Sequence, residues 1–246
     1  GVDVAEPGTF AAFRAACSPY GSVATLCLRA CDEAARPVFP VEPDALCFLR
    51  EKDKRLGVLI DRLGPLRRST EPDLFAALVH AIIAQQISGR AAQSISDRLL
   101  EAAGALTAER LASLEPAVVR GCGLSERKVS YIRRLAEAVG SGGLDLETLR
   151  HTSDAEVIRR LADLDGIGVW TAEMLLIFSL CRPDVLSWGD FGIRRGMALL
   201  YGDRQLTRER FERRRRRYTP YGSVVSLYLW ALAGMEDALA RKVARG

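Results

Sequence analysis

LADLDGIGVWTAEMLLIFSLCRPDVLSWGDFGIRRG, residues 161–196, is the stretch of this 246-residue chain that decides its reading. Leu164-Asp165-Gly166-Ile167-Gly168-Val169-Trp170-Thr171-Ala172 joins one helical pattern to the next through a short Gly-x-Gly hairpin. Glycine permits positive φ and leaves no side chain between the backbone and a ligand. The amides that open the following helix then point outward with the positive end of its dipole, a geometry suited to phosphate without any charged side chain. A lone Gly-x-Gly is common in helix–helix turns; an amphipathic helix beginning Trp-Thr-Ala directly after it makes the signal sharper. Downstream come a Pro turn at Arg182-Pro183-Asp184, an apolar stretch, and Ser187-Trp188-Gly189-Asp190 before a new helix at Phe191. By itself, Asp190 reads as a helix N-cap.

Outward from this segment the sequence is helix after helix. In residues 72–86, Leu74, Leu78, Ile82 and Ile83 share one face, and residues 44–63 carry Leu46, Leu49, Leu56, Leu59, Ile60 and Leu63 between charges. Segments 88–103, 125–139, 153–163, 168–181, 191–201, 207–217 and 222–241 repeat this spacing between Gly, Pro, Ser, Asp or Thr. Alternating strand patterns are nearly missing, so an all-α fold is expected. Residues 18–30 (SPYGSVATLCLRA) echo residues 219–231 (TPYGSVVSLYLWA) without a gap, which suggests that 10–30 partly duplicate 211–231. Arg29 stands opposite Trp230 in this echo, so residues 1–36 are expected to form a scaffold extension and not a second site.

Composition limits the function classes. A net charge of +4 is too mild to argue for nucleic acid, but Arg213–Arg217 are five consecutive arginines, with further pairs at Arg133-Arg134, Arg159-Arg160 and Arg194-Arg195. Such residues neutralise phosphates, and they also form ordinary solvated helix faces. The cysteines at 17, 27, 31, 47, 122 and 181 show no metal-ligand spacing, and only His80 and His151 are present. Buried reduced thiols are expected, with no metal site and no Ser-His-Asp machinery. No apolar run is long enough to span a bilayer, and GVDVAEPGTF does not read as a secretory signal. The expected compartment is the cytoplasm, at the nucleoid if the source is bacterial.

The form L-x-G-I-G-x-x-T-A followed about twenty residues later by a loop Asp resembles the signature of the helix-hairpin-helix (HhH-GPD) DNA glycosylase superfamily. Gln85-Gln86-Ile87-Ser88 resembles that family's Q-Q-I-S turn. Tyr218-Thr219-Pro220-Tyr221-Gly222-Ser223, with Leu227, Tyr228, Leu229 and Trp230, is similar to the last helix of its 3-methyladenine branch. The resemblance covers residues 37–246. It implies two helical subdomains with a DNA-binding cleft between them, one joining N- and C-terminal helices and the other a middle bundle.

The resemblance also implies roles. Asp190 falls at the catalytic aspartate, where a buried carboxylate stabilises oxocarbenium charge and orients water. Trp170 occupies the position of the lysine nucleophile of bifunctional relatives, and no cysteine beyond Cys181 is available for their iron–sulfur cluster. Both absences imply a monofunctional 3-methyladenine glycosylase of type II that hydrolyses alkylated bases with water and without lyase activity. The base pocket would comprise Trp170, Trp188 and Met174; related enzymes have a second aromatic where Met174 stands, so the lesion range is open. Both tryptophans also fit core packing. Gln85, Gln86, Ile87 and Ser88 would supply the wedge, with Gln86 or Ile87 inserted, and Gly166, Ile167, Gly168 and Thr171 would hold a phosphate. No cofactor is implied beyond a possible monovalent cation at the hairpin loop. The expected partner is double-stranded DNA with a flipped damaged base, bound by a monomer. The alternatives are a non-catalytic damage-binding protein and a glycosylase for another class of lesion.

Overall fold

The structure is a computed structural model that describes residues 37–236 together with 240 and 243. The expected extension 1–36, its echo of the C-terminal helix, and Cys17, Cys27 and Cys31 lie outside the described residues. Thirteen helices occur among those described: α1 (Pro43–Lys52), α2 (Lys54–Leu63), α3 (Leu74–Ala84), α4 (Gly89–Ala103), α5 (Ala108–Ser113), α6 (Pro116–Gly121), α7 (Glu126–Gly140), α8 (Leu146–Arg150), α9 (Asp154–Ala162), α10 (Val169–Phe178), α11 (Phe191–Tyr201), α12 (Arg208–Tyr218) and α13 (Gly222–Ala233).

Most of these helices start where a side-chain oxygen accepts a first-turn amide. Asp73, Ser88, Thr107, Ser125, Asp145, Asp190 and Thr207 cap α3, α4, α5, α7, α8, α11 and α12 in this way. The same device corrects the expectation of one helix over 44–63. Asp53 takes an extended backbone and its carboxylate accepts from Arg55 N at 3.0 Å and Leu56 N at 3.1 Å, so the chain breaks into α1 and α2. The apolar positions on both sides still reach the core: Leu49, Leu56, Leu59 and Ile60 are fully buried. The short helices α5, α6 and α8 were not expected, because five or six residues are too few to show a period. Two expected helices are shorter than anticipated: α10 stops at Phe178, ahead of Cys181 at φ +51°, and α13 stops at Ala233 before Gly234.

Two groups of helices carry the core. The first joins α1 and α2 to α11, α12 and α13, and the second contains α3 to α7; α10 packs on α9 and on α3. Burial of the Leu and Ile faces, at roughly 1.5–3 kcal/mol for each fully covered side chain, drives both. The tightest contact is α11 on α13. A Cβ added at Gly196 would lie 2.2 Å from the carbonyl oxygen of Leu229, so the two backbones meet there with no side chain between. Cys47 is exposed, contrary to the expectation of buried thiols, whereas Cys122 is buried and Cys181 half-buried; all three are free. No described helix is long and apolar enough to cross a membrane.

Candidate active site

The hairpin is shaped by one glycine. Gly166 sits at φ +85°, and a Cβ there would lie 2.3 Å from the Tyr131 ring, so both conformation and space exclude any other residue. Ile167 next to it is buried and anchors the loop. Gly168 is the N-cap of α10 and offers no side chain to it, which leaves the first-turn amides facing an exposed surface at Gly168 and Val169. Thr171 is buried in that first turn.

The turn 85–88 lies against this hairpin. Gln85 Nε2 donates to Gly166 O at 2.6 Å. Gln86 takes φ +57°, an uncommon conformation for a side chain without special support, and Ile87 next to it is exposed. Ser88 ends the turn by capping α4, its Oγ accepting from Ala91 N at 3.3 Å.

Asp190 is delivered by the loop between α10 and α11 and is only 7% exposed. Its Oδ1 accepts from Ile193 N at 2.7 Å and from Trp230 Nε1 at 2.9 Å, and its Oδ2 accepts from Trp170 Nε1 at 2.8 Å. Every one of these partners is a donor. A carboxylate has about four acceptor positions, so three are taken and one remains on Oδ2. The N-cap role and the site role therefore coexist on one side chain. Trp170 keeps 48% of its surface exposed while its N–H is committed, and Phe191, directly after Asp190, is 71% exposed.

A second carboxylate stands nearby. Glu173, one turn along α10 from Trp170, accepts a short hydrogen bond from the fully buried Ser187 hydroxyl. Burial raises the Glu173 carboxyl above its usual range and the Asp190 charge adds to the rise, while the Ser187 hydroxyl and Arg215 oppose it. The bond also ties α10 to the loop that carries Asp190.

The structure thus brings Asp190 and Trp170 together, and Gln85 and Gly166 together. Trp188 is placed differently: its ring meets Phe211 edge-on at 5.2 Å and lies under the Arg194 guanidinium at 5.2 Å. Met174 is half-buried against the core. Trp230 is the site residue that sequence reading did not assign. Its indole stacks on Phe178 at 5.5 Å, and Gly192 makes room for it, since a Cβ there would lie 2.8 Å from Trp230 Cδ1. The available signal was the N-terminal echo, in which Arg29 stands opposite this tryptophan and Cys27 opposite Tyr228. A surface groove of about 950 Å³ lies between α6 and α7 and includes none of these residues. It is hydrogen bonding around Asp190, and not cavity size, that marks the site. Among the described residues no three His, Cys, Asp or Glu side chains converge as metal ligands.

The model of the HhH-GPD superfamily base excision DNA repair proteins matches residues 79–220, which span the turn, the hairpin and Asp190. This chain belongs to the HhH-GPD superfamily. Among its HhH-GPD relatives is DNA-3-methyladenine glycosylase 1 of Schizosaccharomyces pombe, 32% identical over 197 residues, covering 78% of this chain and 86% of that protein. The solved structure of a Bacillus halodurans DNA-3-methyladenine glycosidase superposes with a TM-score of 0.74 at 36% identity, over 81% of this chain and 93% of its own. That of the S. pombe 3-methyladenine DNA glycosylase in complex with abasic DNA gives 0.71 at 30% identity, over 79% and 98%.

Proposed function

We propose that this HhH-GPD protein is a DNA glycosylase that hydrolyses the N-glycosidic bond of 3-methyladenine-type bases in DNA, the first step of base excision repair. The observation that carries the reading is the buried Asp190 carboxylate, fixed by three N–H donors beside the hairpin. The names of its relatives support the substrate class.

The damaged nucleotide leaves the stack and its base lies against Trp170, whose exposed indole face attracts a cationic alkylated purine. The C1′–N bond breaks and the base departs with the bonding pair as a neutral molecule, so no dedicated acid is needed. The remaining acceptor position on Asp190 Oδ2 faces the oxocarbenium charge and orients the water whose oxygen bonds to C1′. The water proton passes to the carboxylate or to solvent. No amine stands at the hairpin position of Trp170, so hydrolysis and not Schiff-base chemistry follows, and the strand is left uncut. Gln86 or Ile87 fills the vacated space, and backbone amides at Gly166 to Thr171 hold the flanking phosphate.

Base release from methylated duplex DNA, with strand nicking scored in the same reaction, tests this. Wild-type protein is expected to release 3-methyladenine without nicking until alkali is added, and Asp190→Asn to release none. Release by both proteins, or by neither, overturns it.

A further inference from the structure

One face of α7 touches both elements that grip the DNA. Lys128, Tyr131 and Arg134 follow at spacings of three, so they share a side of the helix. Lys128 Nζ donates to Ile83 O at 2.7 Å and to Gln85 O at 2.8 Å, closing off carbonyls that the end of α3 leaves open. Its positive charge there also suits the negative end of the α3 dipole. Tyr131 lies against Gly166, and Arg134 makes a short ion pair with Asp165, offsetting the carboxylate next to the phosphate-binding loop.

We propose that Lys128 is a positioning residue for DNA engagement, holding the inserting turn 85–88 in register with the hairpin 164–168. Its ammonium fixes the carbonyl of Gln85, the Gln85 side chain bonds Gly166 O, and turn and hairpin therefore move as one body. The left-handed Gln86 follows directly; a strained backbone of this kind persists only where its surroundings fix it. Two of the three ammonium donors are spent on protein carbonyls, so Lys128 is not arranged as a phosphate contact. This assignment rests on the reading of the two elements as DNA contacts.

The test is the affinity of full-length protein for a duplex with a stable abasic analogue relative to an intact duplex, measured across a salt series. Lys128→Met is expected to lower that ratio at least about tenfold while leaving the salt slope unchanged, since misplacing a positioned group by about 1 Å can cost up to about 10²-fold. Lys128→Arg is expected to recover part of it. Gln85→Met, which removes the link to Gly166 along with any DNA contact of that side chain, is expected to act in the same direction. Lys128→Gln, which keeps a donor for one carbonyl at most, decides the matter if Lys128→Met does not fold. An unchanged ratio overturns the proposal. So does an equal loss on both duplexes with a salt slope shallower by about one, the mark of a lost phosphate contact. Base release by wild type, scored separately, reports on the glycosylase reading: its absence removes that reading, while the binding ratio still reports on Lys128.

Discussion

Replacing Asp190 by Asn exchanges one acceptor oxygen for an NH2 group, and both oxygens already face N–H donors. Whichever way the amide turns, a donor meets a donor. Base release is expected to fall at least 10²-fold, as when one preorganised charge-stabilising group is removed from an active site, at a folding cost of about 1–2 kcal/mol. Single-turnover release and thermal melting read the two effects separately. Trp230→Phe keeps the stack on Phe178 and deletes only the N–H to Oδ1. It is expected to slow release about tenfold with little change in affinity for abasic DNA, by the loss of one charge-assisted hydrogen bond of roughly 1.5 kcal/mol. Glu173 supplies a pH dependence. Its carboxyl is raised, so its contribution to stability is present below the ordinary value of 4.5 and is lost as pH rises through the higher folded value. Glu173→Gln keeps an acceptor for Ser187 and removes that titration. The melting temperature of wild type relative to the variant is expected to be higher at pH 4 than at pH 7; a difference independent of pH contradicts it. Asp190 and Trp170 were legible because the hairpin fixes them within twenty residues of each other. Trp230 was not, because forty residues and an apolar helix face separate it from Asp190, and periodicity reports burial without naming the neighbour.

Helix α11 carries two glycines four residues apart, Gly192 and Gly196, and both face α13. Alanine at 196 drives a Cβ into the Leu229 carbonyl, a backbone atom that cannot step aside, and is expected to cost at least about 1–3 kcal/mol in chemical denaturation. Alanine at 192 meets Trp230 Cδ1 instead, and is expected to displace the indole from Asp190 and slow release while costing less stability. The arginine run on α12 divides in a way that its sequence does not show. Arg214 is 9% exposed, pairs with Asp203 at 2.5 Å and lies 3.6 Å over the Tyr201 ring; Arg217 reaches Asp53 and Arg215 reaches Glu212. Arg213 and Arg216 are exposed. Arg214→Met leaves the largely buried Asp203 with only the more exposed Arg210, at 3.5 Å, and is expected to destabilise by about 1–3 kcal/mol with DNA affinity unchanged at matched folding. A drop in affinity without a drop in stability refutes this division. Two of the other basic pairs are similarly engaged, Arg134 with Asp165 and Arg159 and Arg160 with Glu156, whose carboxyl they hold down to about 2. A run of charge in a sequence shows where cations are, and not which of them the fold has already spent.

Across the whole molecule, apolar period and cap residues were enough to foresee helices throughout and to place most of their starts. Boundaries failed where a local competitor acted, as the Asp53 carboxylate does between α1 and α2, or where an element is shorter than two turns. The grouping of helices was visible only through resemblance, since nothing local states that α2 packs on α11 across the chain. That grouping matters to Asp190, whose two indole partners stand sixty residues apart in the sequence: Trp170 on α10 and Trp230 on α13. The chain has three tryptophans, and the third, Trp188, is two residues from the same carboxylate. All of the protein's indole emission therefore originates within the neighbourhood of one side chain. The enzyme carries its own optical probe, and occupancy of the site is open to being timed by stopped-flow on unlabelled protein and unlabelled DNA.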